Sequence, residues 1–194
     1  QWIGGLGVIV FFVAILTSLG AGAKILFSSE SSVTASDFEQ GRIQDGVNKL
    51  LVFYISLTGV CFIAYKLAGM DWFDALNHSM TTIATGGFST HTESFAFYNS
   101  PLIEAIAIIF MLISATTFIF FIRLLEGSKD IFKKGIEVYT FYGLTFFSMV
   151  LISVLLMQSD ASPFTLHTFR DVLFQTSSII TTTGYTSANY DLWV

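Results

Sequence analysis

Charge is scarce in this chain. Of its 194 residues only 12% are Asp, Glu, Lys or Arg, against roughly a quarter in soluble domains. That shortage excludes an ordinary soluble surface. Basic residues are outnumbered, nine against fourteen acids, for a formal charge of −5, so nothing suggests nucleic acid as a partner. Cysteine is nearly absent. Cys61 stands alone inside an apolar run, which excludes an intrachain disulfide or a cysteine cluster; it reads as a small buried hydrophobe. Also missing are a nucleophile elbow, a phosphate-cradling loop and paired carboxylates within the apolar stretches. No enzyme chemistry and no cofactor are therefore expected. His78 and His91 lie thirteen apart with no neighbouring Glu to act as a base, which is not a zinc pattern. They read as polar groups in packing or at a mouth, and His167 as an outer-loop residue.

What is present is apolar: 53% of residues, 21 of them Phe, and a mean hydropathy of +0.70. Trp2–Leu19 is uncharged and about long enough to cross ~30 Å of hydrocarbon; Gly4, Gly5 and Gly7 give it a small face for close packing. A polar loop follows over Ser28–Asn48, with one amphipathic turn expected near Phe38–Ile43. Val47–Leu67 is a second span, stopped at Gly69. Leu102–Leu125, started by Ser100-Pro101, reads as a third continuous span, and Ile136–Met157 as a fourth. Asp71–Ile83, with Asp71 as a candidate cap, and Phe169–Ile180 are too short to cross and too polar for lipid. The opening without Met and the stop at Trp193-Val194 are what a piece of a larger protein would show.

The two short segments end alike, in Thr85-Gly86-Gly87-Phe88-Ser89 and Thr182-Thr183-Gly184-Tyr185-Thr186. Phe73–Thr90 aligns with Arg170–Ser187 without a gap at an offset of 97 residues, with five of 18 pairs identical: Asp74/Asp171, Leu76/Leu173, Ile83/Ile180, Thr85/Thr182 and Gly87/Gly184. Thr81/Ser178, Phe88/Tyr185 and Ser89/Thr186 are among the close pairs. A fixed offset of this kind marks a duplicated membrane unit.

Loop charges give orientation. Lys24, Arg42, Lys49, Arg123, Lys129, Lys133 and Lys134 share one side, and only Lys66 and Arg170 the other, which places the first set in the cytoplasm. Asp71, Asp74, Glu93, Glu104, Asp160, Asp171 and Asp191 fall outside, and seven acids against two bases leave the outer face at −5. A negative mouth concentrates cations. No paired charges are expected within the spans, which speaks against a secondary transporter with broken helices.

An ion entering a narrow pore must exchange water oxygens for others. Backbone carbonyls can supply them if the chain adopts torsions that glycine tolerates, and such irregular backbone survives at membrane depth only where it is buried or lines a cavity. A Thr hydroxyl adds an oxygen, an aromatic can wedge the loop against a pore helix, and the C-terminal ends of the short helices carry partial negative charge. The expected ion-coordinating residues are Thr85, Gly86, Gly87 and Phe88, with Thr182, Thr183, Gly184 and Tyr185. The order matches the Thr-Val-Gly-Tyr-Gly filter of potassium channels.

These residues carry a resemblance. Gln1-Trp2-Ile3-Gly4-Gly5-Leu6-Gly7, Ala68-Gly69-Met70-Asp71, Asn77-His78-Ser79, Thr82-Ile83-Ala84-Thr85-Gly86-Gly87-Phe88-Ser89-Thr90-His91, Ser100-Pro101 and Thr182-Thr183-Gly184-Tyr185 resemble the Trk/Ktr/HKT family of potassium-uptake membrane subunits, most closely its bacterial Trk type. The resemblance implies an all-α membrane protein of helix–pore-helix–helix repeats around one pore. Residues 1–27 would be the outgoing helix of repeat one and 28–46 a cytoplasmic loop. Residues 47–128 would be a complete repeat two, and 129–194 the first helix, pore helix and filter of repeat three. It implies potassium uptake across the inner cell membrane, with a sodium/potassium-permeable HKT-like transporter as the alternative. It further implies a homodimer and a cytosolic ring of nucleotide-binding regulatory subunits, for which Arg123, Lys129, Lys133 and Lys134 are docking candidates. Thr117 and Phe121 depart from the Asn and His usual in Trk members, and Gly135-Ile136-Glu137 from Asp-Pro-Glu.

Overall fold

Continuous apolar sequence with few breakers leaves the backbone to satisfy itself locally, and helices do this. A computed structural model describes residues 1–7, 43–125, 127, 135–158 and 165–188, and among these there is no strand. After a π-type turn at Ile3–Gly7 come α1 (Ile43–Leu67), α2 (Trp72–Ile83), a short 3-10 turn (Ser94–Phe97), α3 (Pro101–Ala115), α4 (Phe118–Leu125), α5 (Ile136–Gln158) and α6 (Leu166–Ile180). The body of the Trp2–Leu19 span, the turn near Phe38, and Lys129, Lys133 and Lys134 lie outside the described residues.

The helix ends follow from local chemistry. Gly69 takes φ +107°, and the amides of Gly69 and Met70 return to the carbonyls of Lys66 and Tyr65 at 3.2 and 3.1 Å, closing α1 in a Schellman turn. Asp71 then caps α2, accepting from the Phe73 amide at 3.3 Å, and Ser100-Pro101 starts α3. Helix α6 begins at Leu166, three residues before the expected Phe169, because Thr165 and Thr168 form a reciprocal capping box.

Among the described residues two helices, Lys49–Leu67 and Ile136–Met157, are long and apolar enough to cross a membrane. The third span is not continuous, contrary to expectation. Helices α3 and α4 meet at 91°. Hydropathy cannot see the reason. Ser114 and Thr116 hydroxyls turn back to the carbonyls of Phe110 and Leu112 at 2.6 and 2.8 Å, and Thr116 itself is extended, with ψ 142°. Such back-bonding bends helices. The Thr116 hydroxyl also meets the Tyr142 hydroxyl of α5 at 3.1 Å, so the break is supported from a neighbouring helix. Beyond it, Phe118 and Phe121 of α4 pack on Phe53 of α1 at 5.6 and 5.8 Å between rings.

Helix α1 packs against α2, α3 and α4; α3 also meets α6, and α6 meets α5. The core runs through Tyr54, Cys61, Tyr65, Ala75, Ile83, Phe95, Ala107, Met111, Phe174 and Tyr185. It thus joins α1–α4 and the loop after α2 to α5, α6 and the loop after α6. Between them lies a charge pair that the sequence reading does not contain. Glu104, placed among the outer acids, is 1% exposed in the first turn of α3. Its Oε2 sits 3.0 Å from Nε of Arg170 on α6. Neither atom has a hydrogen bond of good geometry, so the attraction is between charges rather than along an N–H axis. Removing one member of a buried pair strands the other. Glu104→Ala should therefore cost about 3–5 kcal/mol. In a double-mutant cycle, Glu104→Ala and Arg170→Ala should be strongly non-additive in detergent unfolding, and additive losses would show that the pair contributes nothing.

Candidate functional site: two glycine loops in contact

The residues that match in sequence also match in backbone. Thr85 and Thr182 have φ of 48° and 57°, and Gly87 and Gly184 have φ of 67° and 85°. A left-handed Thr is uncommon, and finding it twice at the same offset is a repeated structural requirement. The residues between, Gly86 and Thr183, are not left-handed. Alternating the sign of φ turns successive carbonyls toward the same side of a strand, whereas ordinary extended backbone alternates them. The loops touch. A Cβ built on Gly87 would run into the Thr183 carbonyl oxygen and stand 3.2 Å from the Gly184 carbonyl carbon. One built on Gly184 meets nothing within 4 Å.

Each loop is tied to its own short helix by equivalent groups. The amides of Gly86 and Thr183 return to the carbonyls of Thr81 and Ser178 at 2.7 and 2.9 Å. The hydroxyls of those same two residues donate to the carbonyls of Phe88 and Tyr185 at 2.9 and 2.7 Å. One position further out, His78 and Gln175 do one job with different chemistry. His78 Nδ1 lies 2.8 Å from the Asp74 carbonyl, which can only accept, so Nδ1 carries the proton and Nε2 accepts from the Ser89 hydroxyl at 2.9 Å. Gln175 Nε2 donates to the Ala188 carbonyl at 3.2 Å. Both side chains pin the strand that leaves the loop. Both His78 nitrogens are engaged in this.

The aromatics differ. Phe88 is exposed and Tyr185 is buried. Tyr185 reaches beyond its own helix, α6. Its hydroxyl reaches α2, meeting Thr81 Oγ1 closely and Thr82 Oγ1 at 3.1 Å, while Tyr65 meets Thr82 at 3.0 Å. One assignment lets each hydroxyl donate once, from Tyr65 to Thr82 to Tyr185 to Thr81 and on to the Phe88 carbonyl. The loops are thus coupled through hydroxyls as well as by contact.

The outer strand is fastened at Asp74. Its Oδ2 lies 2.8 Å from His91 Nε2 and its Oδ1 accepts from Thr90 Oγ1 at 2.7 Å, while the His91 ring stacks on Phe97 at 3.6 Å. Burial pulls the Asp74 carboxyl upward, but the bonds from His91 and Thr90 outweigh it and hold it down, to about 2. At the start of the chain, the Trp2 indole donates to the Thr58 hydroxyl at 3.0 Å and the Trp2 backbone carbonyl accepts from the Tyr54 hydroxyl at 3.0 Å, which lays Gln1–Gly5 beside Ala84 and Gly86. Of the basic docking candidates only Arg123 is described, in the last turn of α4.

The chain as a whole has known relatives. The family model TrkH, described as a cation transport protein, matches residues 1–161. The chain belongs to the TrkH family. The Trk system potassium uptake protein TrkH of Escherichia coli K12 is 37% identical over 195 residues, which cover all of this chain and 40% of that protein. TrkG of the same strain is 35% identical over 200 residues, covering 40% of its own length. The crystal structure of the potassium transporter TrkH from Vibrio parahaemolyticus superposes with a TM-score of 0.79 at 35% identity, over 100% of this chain and 39% of that one. The chain therefore spans about two-fifths of the TrkH relatives it matches, and its architecture is the pore-helix repeat of that fold.

The sequence reading missed the cross-repeat partners: Tyr185 on Thr81 and Thr82, Glu104 on Arg170, and Phe95 in the core. The mismatch of His78 with Gln175 concealed a shared role. Tyr185→Phe removes the middle of the hydroxyl chain and should cost about 1–3 kcal/mol, read as a lowered unfolding midpoint of the full-length protein in detergent; an unchanged midpoint would show the chain carries no stability. For Asp74 the folded carboxyl titrates below its unfolded value of about 3.9. Its stabilising contribution is complete above about pH 4 and is lost as pH falls toward 2. Carboxyl carbon shifts of labelled protein should show no Asp74 protonation at pH 4.

Proposed function

We propose that the two loops are two of four walls of a potassium-selective filter. The chain then carries the outgoing helix of repeat one (1–27), a cytoplasmic loop (28–46), a complete repeat two (47–128) and the first two-thirds of repeat three (129–194). The protein containing it takes up potassium across the inner cell membrane as a multi-pass pore. One observation supports this above the others: Thr85 with Gly87 and Thr182 with Gly184 share a strained alternating backbone at matched positions, and the two strands lie in contact. A Thr-x-Gly pair of surface turns has no need of that backbone or of each other. Thr85, Gly86, Gly87, Thr182, Thr183 and Gly184 offer oxygens to the ion. Phe88 and Tyr185 contribute carbonyls that are also bonded to Thr81 and Ser178, which holds the strands apart from their helices at fixed distance. The names of the relatives, potassium uptake proteins of a Trk system, support potassium as the permeant ion.

The word system also supports a partner. In this reading a cytosolic nucleotide-binding ring docks on Arg123, Lys129, Lys133 and Lys134, and the protein works as a homodimer. Replacing the three lysines with Gln in the full-length protein should reduce co-purification of the ring at least severalfold; undiminished recovery would move the docking surface elsewhere.

The glycines test the filter. Gly87→Ala adds a methyl against the Thr183 carbonyl and keeps a left-handed φ. Gly184→Ala adds it to open space and costs only the backbone strain, about 1–2 kcal/mol. In full-length protein both should degrade rubidium uptake and sodium exclusion, Gly87→Ala more severely. Wild-type uptake and exclusion in both variants would end the filter reading.

A further inference from the structure

We infer that the loop leaving the first filter sets the shape of the second, through Ser94 and Phe95, and is therefore a selectivity-positioning element. This rests on the filter reading above. The 3-10 turn Ser94–Phe97 lies in the complete repeat, yet its bonds go to the partial one. The amides of Phe95 and Ala96 both donate to the Thr186 carbonyl, at 2.9 and 3.2 Å. The Thr186 amide donates back to Ser94 Oγ at 3.3 Å. Thr186 follows Tyr185 directly, so the clamp grips the strand one residue beyond the filter aromatic. Ser94 holds φ 53°, an uncommon conformation for a non-glycine residue, and the return bond to Thr186 is what that conformation achieves.

Phe95 completes the grip. It is 0% exposed, and its ring lies 4.4 Å from Tyr185, 5.2 Å from His78, 5.4 Å from Phe174 and 6.0 Å from Tyr65. It therefore touches the filter aromatic of one repeat and, through His78, the helix that pins the exit strand of the other. A phenyl ring in that position fixes how far Tyr185 stands from the central axis. A close-packed interior transmits such a shift rather than absorbing it. Ion discrimination depends on oxygen positions, so a loosened clamp should first appear as lost discrimination, not lost uptake.

The test compares Ser94→Gly, Ser94→Asn, Phe95→Leu and Gly184→Ala in the full-length transporter, reading rubidium uptake and sodium uptake separately. Ser94→Gly accepts the left-handed backbone and deletes only the acceptor for Thr186. Ser94→Asn keeps both the backbone tolerance and a side-chain oxygen. The expected result is a rise of about fivefold in sodium relative to rubidium for Ser94→Gly, the scale of one hydrogen bond. Phe95→Leu should do the same, and Ser94→Asn should recover at least half of the loss. If Gly184→Ala alters discrimination while Ser94→Gly and Phe95→Leu match wild type, the clamp is overturned and the filter stands. If Gly184→Ala and the Gly87→Ala variant described above both leave discrimination intact, the filter reading falls and the clamp's role with it. Should Phe95→Leu fail to fold, Ser94→Gly and its Asn counterpart decide alone.

Discussion

The dominant constraint is that two stretches of backbone lie in contact in a form that is neither helix nor sheet. Their amides and carbonyls cannot satisfy each other in a ladder, so each needs another partner. Side-chain hydroxyls answer this. Thr81, Ser178, Ser89 and Ser94 each hold a polar atom of a loop or its exit strand, and most of them are buried or half-buried. The half-polar character of α2 and α6 follows. They are not failed membrane spans but brackets for irregular chain.

A second consequence is that neither repeat is complete by itself. The aromatic of the second loop lands on the helix of the first. The exit loop of the first grips the exit strand of the second. Glu104 of α3 faces Arg170 of α6. Phe88, which is 66% exposed here, occupies the position equivalent to Tyr185.

Much of this was legible in the sequence. The apolar spans, the Gly69 stop, the Asp71 cap and the Ser100-Pro101 start are local events, and local composition specifies them. The duplicated loops were visible because Thr85 with Gly87 recurs as Thr182 with Gly184 at one offset, and glycine suits the torsions of an irregular loop; the left-handed backbone at the two threonines was not legible, because threonine does not favour it. The bend between α3 and α4 was not legible. Thr116 and Ser114 sit in a run as apolar as a true span, and a hydropathy window averages over them. Glu104 was misplaced for a related reason: an acid near a helix start looks solvated until its partner, 66 positions later, is known.

The sequence by itself determined the helical class, the membrane character and the two glycine loops with their short helices, since each depends on residues within a few places of one another. The tertiary structure alone decided which groups face which: the Tyr185 hydroxyl on α2, the Phe95 ring against Tyr185, the charge of Arg170 over Glu104. Those pairings cross from one repeat to the other. Separation along the chain says nothing about distance once helices fold side by side, so only their packing could reveal that each loop is held in shape by its neighbour.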